Sequence, residues 1–159
     1  MQIIAAPSVP AIGSMAPDFT LSSTSGASVT LSSFRGQQHV LLAFFPFAFT
    51  RVCTAEVCAF GDDYGQFAEQ GVAVLPISTD AVPSLKAFKE QSHTSVDLLS
   101  DFKRQASAAF GVLDTDGFFA KRAYVLIDKA GTVRWTHVEQ SLGDRRDNAE
   151  LLAEIARLQ

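Results

Sequence analysis

The segment His39–Phe45, HVLLAFF, is apolar at nearly every position and is closed by Pro46. A strand with one wet face alternates apolar and polar residues; an unbroken β-branched and aromatic run suits a central strand covered on both faces. Such a strand needs helices on either side, which restricts the chain to an α/β architecture. Val72–Ile77 repeats the pattern. Between the two runs, Val57, Phe60, Tyr64, Phe67 and Ala68 follow helical spacing, and Gly71 predicts the stop of that helix. The order is β-α-β, the unit of a parallel sheet.

Around this unit the other elements are shorter. Asp18–Leu21 and Ser28–Leu31 read as two strands about a Ser25-Gly26 turn. Asp80 is the expected N-cap of a helix running to about Gln91, with Pro83 in its first turn. Leu98–Ser100 reads as a short strand, and a small helix through Ala106 and Phe110 stops at Gly111. Arg122–Ile127 and Thr132–His137 flank Asp128-Lys129-Ala130-Gly131, a strand-turn-strand hairpin. Leu151, Leu152, Ile155 and Leu158 lay an apolar stripe on a closing helix. The expectation is a thioredoxin-like α/β fold with an N-terminal β-hairpin and a central mixed sheet flanked by helices. Residues 13–159 form one domain on this reading, preceded by a 1–12 extension.

Composition narrows the function classes. The net charge is −4 and no Lys/Arg cluster occurs, which argues against nucleic acid or an anionic membrane as partner. No apolar run approaches the length of a membrane span. Met1–Gly13 lacks a basic start and is broken by Pro7 and Pro10, a poor signal peptide, so the cytosol is the expected compartment. There, two cysteines five positions apart point to catalysis or metal binding rather than to a structural disulfide.

Phe44–Phe60 reads FFPFAFTRVCTAEVCAF. A buried strand ends, a short loop leads to Thr50, and Cys53 falls at or just before the first turn of a helix. Free amides and the dipole of a helix N-terminus favour an anion, so a thiol there sheds its proton more readily. The Thr50 hydroxyl can fold over the same helix end, toward the sulfur or an incoming oxygen. Ionisation alone does not make such a thiol a fast catalyst. A free thiol is about 3% ionised at pH 7, so full ionisation gains only about 30-fold. Part of that gain is forfeited because nucleophilicity falls with basicity, with a Brønsted coefficient of about 0.4–0.5. The remaining acceleration requires fixed donors, ideally a guanidinium, around the sulfur and the bond that it breaks.

Pro46, Thr50 and Cys53 meet the pattern Pro-x-x-x-Thr-x-x-Cys, which resembles the peroxiredoxin signature. Ala48-Phe49-Thr50 is most similar to the alkyl hydroperoxide reductase E branch. Cys53-Thr54-Ala55-Glu56-Val57-Cys58 resembles the bacterioferritin-comigratory, or Q-type, branch, in which the second cysteine resolves the first. The likeness extends through Ala16–Phe19, Leu75–Asp80, Leu98–Asp101, Ala109–Val112 and Leu126–Asp128. The resemblance implies Arg122 as the catalytic arginine, Glu56 as the residue that orients it, and Cys58 as the resolving candidate. It also implies a hydroperoxide substrate, a thioredoxin-like or low-molecular-weight thiol reductant, and a monomer or homodimer. Arg51 departs from the Pro or Gly often found at its position; it either adds positive potential near the pocket or points to solvent.

Blander readings stand beside these. Free cysteines are often inert core residues, and Cys58, inside the helix, is the better candidate for that role. C-x4-C lies at the edge of zinc-ligand spacing, no second pair exists, and His39, His93 and His137 are scattered, so no metal is expected. No nucleotide-binding glycine pattern appears, and no cofactor is expected. Phe44, Phe45, Phe47 and Phe49 read mostly as core, with one or two walling the pocket. The alternative to an enzyme is a thioredoxin-fold redox sensor or binding module that passes peroxide oxidation to a partner; an enzyme turns over with excess reductant and a sensor stalls after one equivalent.

Overall fold

The computed structural model of the chain describes residues 8–158; residues 1–7 of the expected 1–12 extension lie outside them. The chain opens with β1 (Thr20–Ser23) and β2 (Ser28–Thr30), an antiparallel hairpin followed by a 3-10 turn over Leu31–Phe34. Next come β3 (His39–Phe44), α1 (Arg51–Asp62), α2 (Tyr64–Glu69) and β4 (Val72–Ser78). These are followed by α3 (Val82–Ser92), β5 (Leu99–Ser100) and α4 (Gln105–Ala109). The last elements are β6 (Leu113–Asp114), β7 (Phe119–Ala120), β8 (Ala123–Ile127), β9 (Val133–Val138) and α5 (Asn148–Ala156).

Seven strands form one mixed sheet in the order β2-β1-β5-β4-β3-β8-β9. β3 pairs parallel with β4 and β4 with β5, while β8 joins β3 antiparallel and carries β9 antiparallel on its far side. The N-terminal hairpin is joined to this sheet through β1 and β5. The small β6–β7 hairpin stands apart from the sheet and was not expected; two residues per strand carry no readable period.

All six residues of β3 are buried, as its unbroken pattern requires. The two-residue strand period divides them between two clusters. Val40, Leu42 and Phe44 pack with Phe110 and Val112 on one side; Leu41 and Ala43 pack with Phe60, Phe67, Leu151 and Ile155 on the other. Each fully buried Leu or Phe stabilises the fold by about 1.5–3 kcal/mol relative to exposure. Gly111 follows α4 with φ 67°, and a Cβ there would stand 2.2 Å from the Ser8 carbonyl carbon. Glycine is therefore demanded twice at this position, by the backbone conformation and by the close passage of the Ser8–Val9 backbone.

Three expectations are corrected. The helix expected to run to Gly71 is broken at Asp63, and Tyr64, placed on its apolar stripe, is half exposed. The break has a tertiary anchor: Asn148 Nδ2 donates to the Ala59 carbonyl and to Asp63 Oδ2, each at 2.8 Å. Asp80 does not cap α3, whose N-cap is Ala81 in extended conformation with no side-chain cap. Of the four phenylalanines, Phe44 and Phe45 are core, whereas Phe47 and Phe49 are 40% and 50% exposed.

Candidate active site

β3 delivers the chain to Phe45, still buried with its ring against Phe88, and Pro46 then starts the loop into α1. Phe49 takes φ 68°, a left-handed conformation that costs a bulky residue about 1–3 kcal/mol. That turn brings Thr50 to the N-cap of α1 in extended conformation, its carbonyl accepting from the Thr54 amide at 2.9 Å. Cys53 lies in the first turn and is 1% exposed. Its side chain joins Val57, Leu85, Phe88 and Leu98 in a third apolar cluster between α1 and α3.

Asp80 has a different task from the one expected of it. Its Oδ2 accepts from the Ala48 amide at 2.9 Å and from Ser78 Oγ at 2.7 Å, so the end of β4 ties down the loop ahead of Cys53. The Thr50 hydroxyl donates to the Phe47 carbonyl at 2.9 Å rather than to a helix amide or the sulfur. Its oxygen lone pairs remain available as acceptors.

Arg122, immediately before β8, comes to Cys53 from across the sheet. Its Nη2 is 3.1 Å from Cys53 Sγ, and its Nη1 donates to Glu56 Oε1 at 2.9 Å. Nη2 also reaches the Leu142 carbonyl at 3.5 Å. Arg122 is 2% exposed and Glu56 1%. Burial works against the guanidinium charge, but the Glu56 carboxylate and then Cys53 outweigh it and hold Arg122 above its ordinary pKa. Burial likewise pushes the Glu56 carboxyl above its ordinary value, opposed by Arg122 and by a hydrogen bond from the Tyr124 hydroxyl to Glu56 Oε2.

Pro46, Phe47, Thr50, Arg51, Val52, Cys53, Arg122, Leu142 and Gly143 surround a cavity of about 230 Å³. Phe47 is the phenylalanine that walls it, braced on Phe119 at 4.8 Å between ring centroids, while Phe49 rests on Phe88. Arg51 is solvent-exposed at the mouth. Cys58 is in the same helix but away from this cavity; its Sγ donates to the Ser92 carbonyl at 3.4 Å, and both cysteines are free thiols. Among the described residues no cluster of three His, Cys, Asp or Glu side chains could hold a metal, and no helix is long and apolar enough to cross a membrane.

The structure therefore brings Pro46, Thr50, Cys53, Glu56 and Arg122 together and leaves Cys58 outside. Sequence reasoning missed Tyr124, Leu142 and Asp80. A signal for Tyr124 existed: residues two apart on a strand share a face, so it had to lie on the side of Arg122. Nothing local marked Leu142.

The sequence profile of the AhpC/TSA family matches residues 12–136. Alkyl hydroperoxide reductase E of Mycobacterium tuberculosis (strain ATCC 25618 / H37Rv) is 37% identical over 138 residues, covering 86% of this chain and 90% of that one. Chloroplastic peroxiredoxin Q of Suaeda salsa is 38% identical over 129 residues, covering 80% and 60%. Peroxidoxin BcpB of Mycobacterium tuberculosis superposes with a TM-score of 0.82 at 30% identity, covering 93% of this chain and 97% of that one. AhpC of Enterococcus faecalis shares the fold, with a TM-score of 0.86 at 22% identity over 92% and 91% of the two chains. The matched span contains Pro46, Thr50, Cys53, Glu56 and Arg122, and the chain, with its peroxiredoxin fold, belongs to the AhpC/TSA family.

Proposed function

We propose that this protein is a thiol-dependent peroxidase that reduces hydrogen peroxide and organic hydroperoxides through Cys53. The observation that carries the reading is the Arg122 guanidinium 3.1 Å from a buried thiol in the first turn of α1. The Cys53 thiolate attacks the terminal oxygen of ROOH, the S–O bond forms as the O–O bond breaks, and the departing RO⁻ takes a proton to leave as water or alcohol. Arg122 faces the charge that moves from sulfur to the departing oxygen. Thr50, whose hydroxyl donates its hydrogen bond to the Phe47 carbonyl, can accept from the peroxide O–H, and the apolar wall of Pro46, Phe47 and Val52 limits water at the sulfur. Glu56 orients Arg122.

The product is a Cys53 sulfenic acid. The Cys58 thiol condenses with it, forming a Cys53–Cys58 disulfide and one water. A thioredoxin-like dithiol, or two low-molecular-weight thiols, then exchanges with that disulfide, returning both cysteines to thiols and leaving as the oxidised disulfide, in the cytosol, where such reductants keep both cysteines reduced. Within a continuous helix the two Cα atoms lie about 8.6 Å apart, beyond the about 7 Å a disulfide tolerates, so α1 must unwind first. Its N-terminus is suited to that: no side chain caps it and no acidic residue occupies its first turn. Twelve residues make a marginal helix without tertiary support.

The deciding experiment is steady-state consumption of hydroperoxide with excess dithiothreitol or thioredoxin. Many turnovers per protein are expected; a halt after one equivalent would make the protein a sensor rather than an enzyme.

A further inference from the structure

Tyr124 has 0% exposure in the middle of β8, where its neighbours Ala123, Val125, Leu126 and Ile127 are apolar and equally buried. Packing at such a site is satisfied by a phenylalanine; a buried hydroxyl is a cost unless it is hydrogen-bonded. Here the hydroxyl is used twice. It donates to Glu56 Oε2 and accepts from the Arg146 amide at 3.1 Å. Glu56 thus divides its oxygens, Oε2 to Tyr124 and Oε1 to Arg122 Nη1, and Arg122 divides its fork, Nη1 to Glu56 and Nη2 to Cys53.

We propose that Tyr124 is a positioning residue of the peroxidase site, its hydroxyl occupying Glu56 Oε2 so that Arg122 keeps Nη2 on Cys53. The inference rests on the function proposed above. Arginine and carboxylate favour the bidentate fork, in which both guanidinium Nη groups are taken by one carboxylate. With the phenol bound to Oε2, only Oε1 is left to the guanidinium, and the second arm of the fork remains for the sulfur. Without the phenol, the carboxylate is free to swing into the bidentate arrangement and draw Nη2 away. The loop between β9 and α5 closes this arrangement at both ends, through the Arg146 amide on Tyr124 and the Leu142 carbonyl on Arg122.

The charged and titratable groups around the relay are few. Glu56 faces Arg122 and Tyr124 from the β8 side and feels Arg145 from the loop before α5. Tyr124 has the His137 ring of β9 at 6.5 Å, and Glu139 pairs with Arg146 and His137 beyond it. Loss of the phenol removes a donor to the Glu56 carboxylate, so Glu56 takes up its proton at a higher pH and releases Arg122 sooner on acidification.

The test is Tyr124→Phe, read by the second-order rate constant for hydroperoxide in single turnover, followed by Trp135 fluorescence. The expected loss is about 10-fold, the scale seen when an outer partner that orients a functional group is removed. The acid limb of the pH profile should move to higher pH. In a Glu56→Gln background the same substitution should change the rate by less than about twofold, because its route of action is already gone. Replacement of tyrosine by 3-fluorotyrosine in a Tyr64→Phe background keeps the ring and strengthens the donor; there the acid limb should move to lower pH, whether or not Tyr124→Phe folds. A wild-type rate and pH profile in Tyr124→Phe, an unmoved limb with fluorotyrosine, or a full loss in the Glu56→Gln background would each overturn the proposal. A wild-type protein that consumes no peroxide would instead overturn the peroxidase reading itself.

Discussion

Arg122 Nη2 and Cys53 Sγ stand 3.1 Å apart although 69 residues separate them in the chain. The contact exists because β3 and β8 are antiparallel neighbours, Phe44 opposite Ala123, so the residue just before β8 meets the helix that follows β3. Removal of the sulfur should therefore end the chemistry. Cys53→Ser is expected to abolish peroxide consumption while Cys58→Ser leaves the first oxidation intact, because only Cys53 has the guanidinium and the helix terminus. Rapid turnover by the Cys53→Ser variant would refute the assignment.

Arg122→Lys should keep the fold and lose about 10²-fold in second-order rate, the scale of one preorganised donor. Lysine preserves the charge but cannot serve Glu56 and Cys53 through two arms of one planar group. Stopped-flow oxidation of the variant measures this; an unchanged rate would leave Arg122 a purely structural cation.

The resolving step has a mass and an exchange signature. One equivalent of peroxide is expected to leave the intact protein lighter by two hydrogens, with hydrogen-exchange protection lost across residues 53–62. A gain of one oxygen with α1 equally protected in both states would show that an external thiol resolves Cys53 directly.

Asp128 anchors the β8–β9 turn and should tie stability to pH. Burial pushes its carboxyl up, but the amides of Thr132 and Ala130 and the Arg134 guanidinium outweigh this and hold the pKa below 3.8. A carboxyl depressed in the folded state contributes stability above its unfolded pKa and loses that contribution as pH falls through the folded value. Asp128→Asn should thus cost about 1 kcal/mol at pH 7. The difference from wild type should shrink below pH 3.8. Urea midpoints at pH 7 and pH 3 check it; an equal cost at both would show that the charge is irrelevant.

Local pattern alone determined the two buried strands, the Cys53 helix terminus, the Asp128 hairpin and the apolar face of α5, because strand and helix periods are written over four to twelve neighbouring residues. Arg122 and Glu56 were legible only through the family resemblance; by pattern, Arg122 is an ordinary charged residue at a strand start. What tertiary structure decided is a set of polar contacts between distant segments. Asn148 breaks the helix after Asp62 from 85 and 89 residues away, Asp80 leaves its capping position for an amide 32 residues back, and Tyr124 completes the relay to Glu56 across 68. A hydrogen bond depends on where two atoms meet, and only the packing of α1, β8 and the loop before α5 brings these atoms within reach.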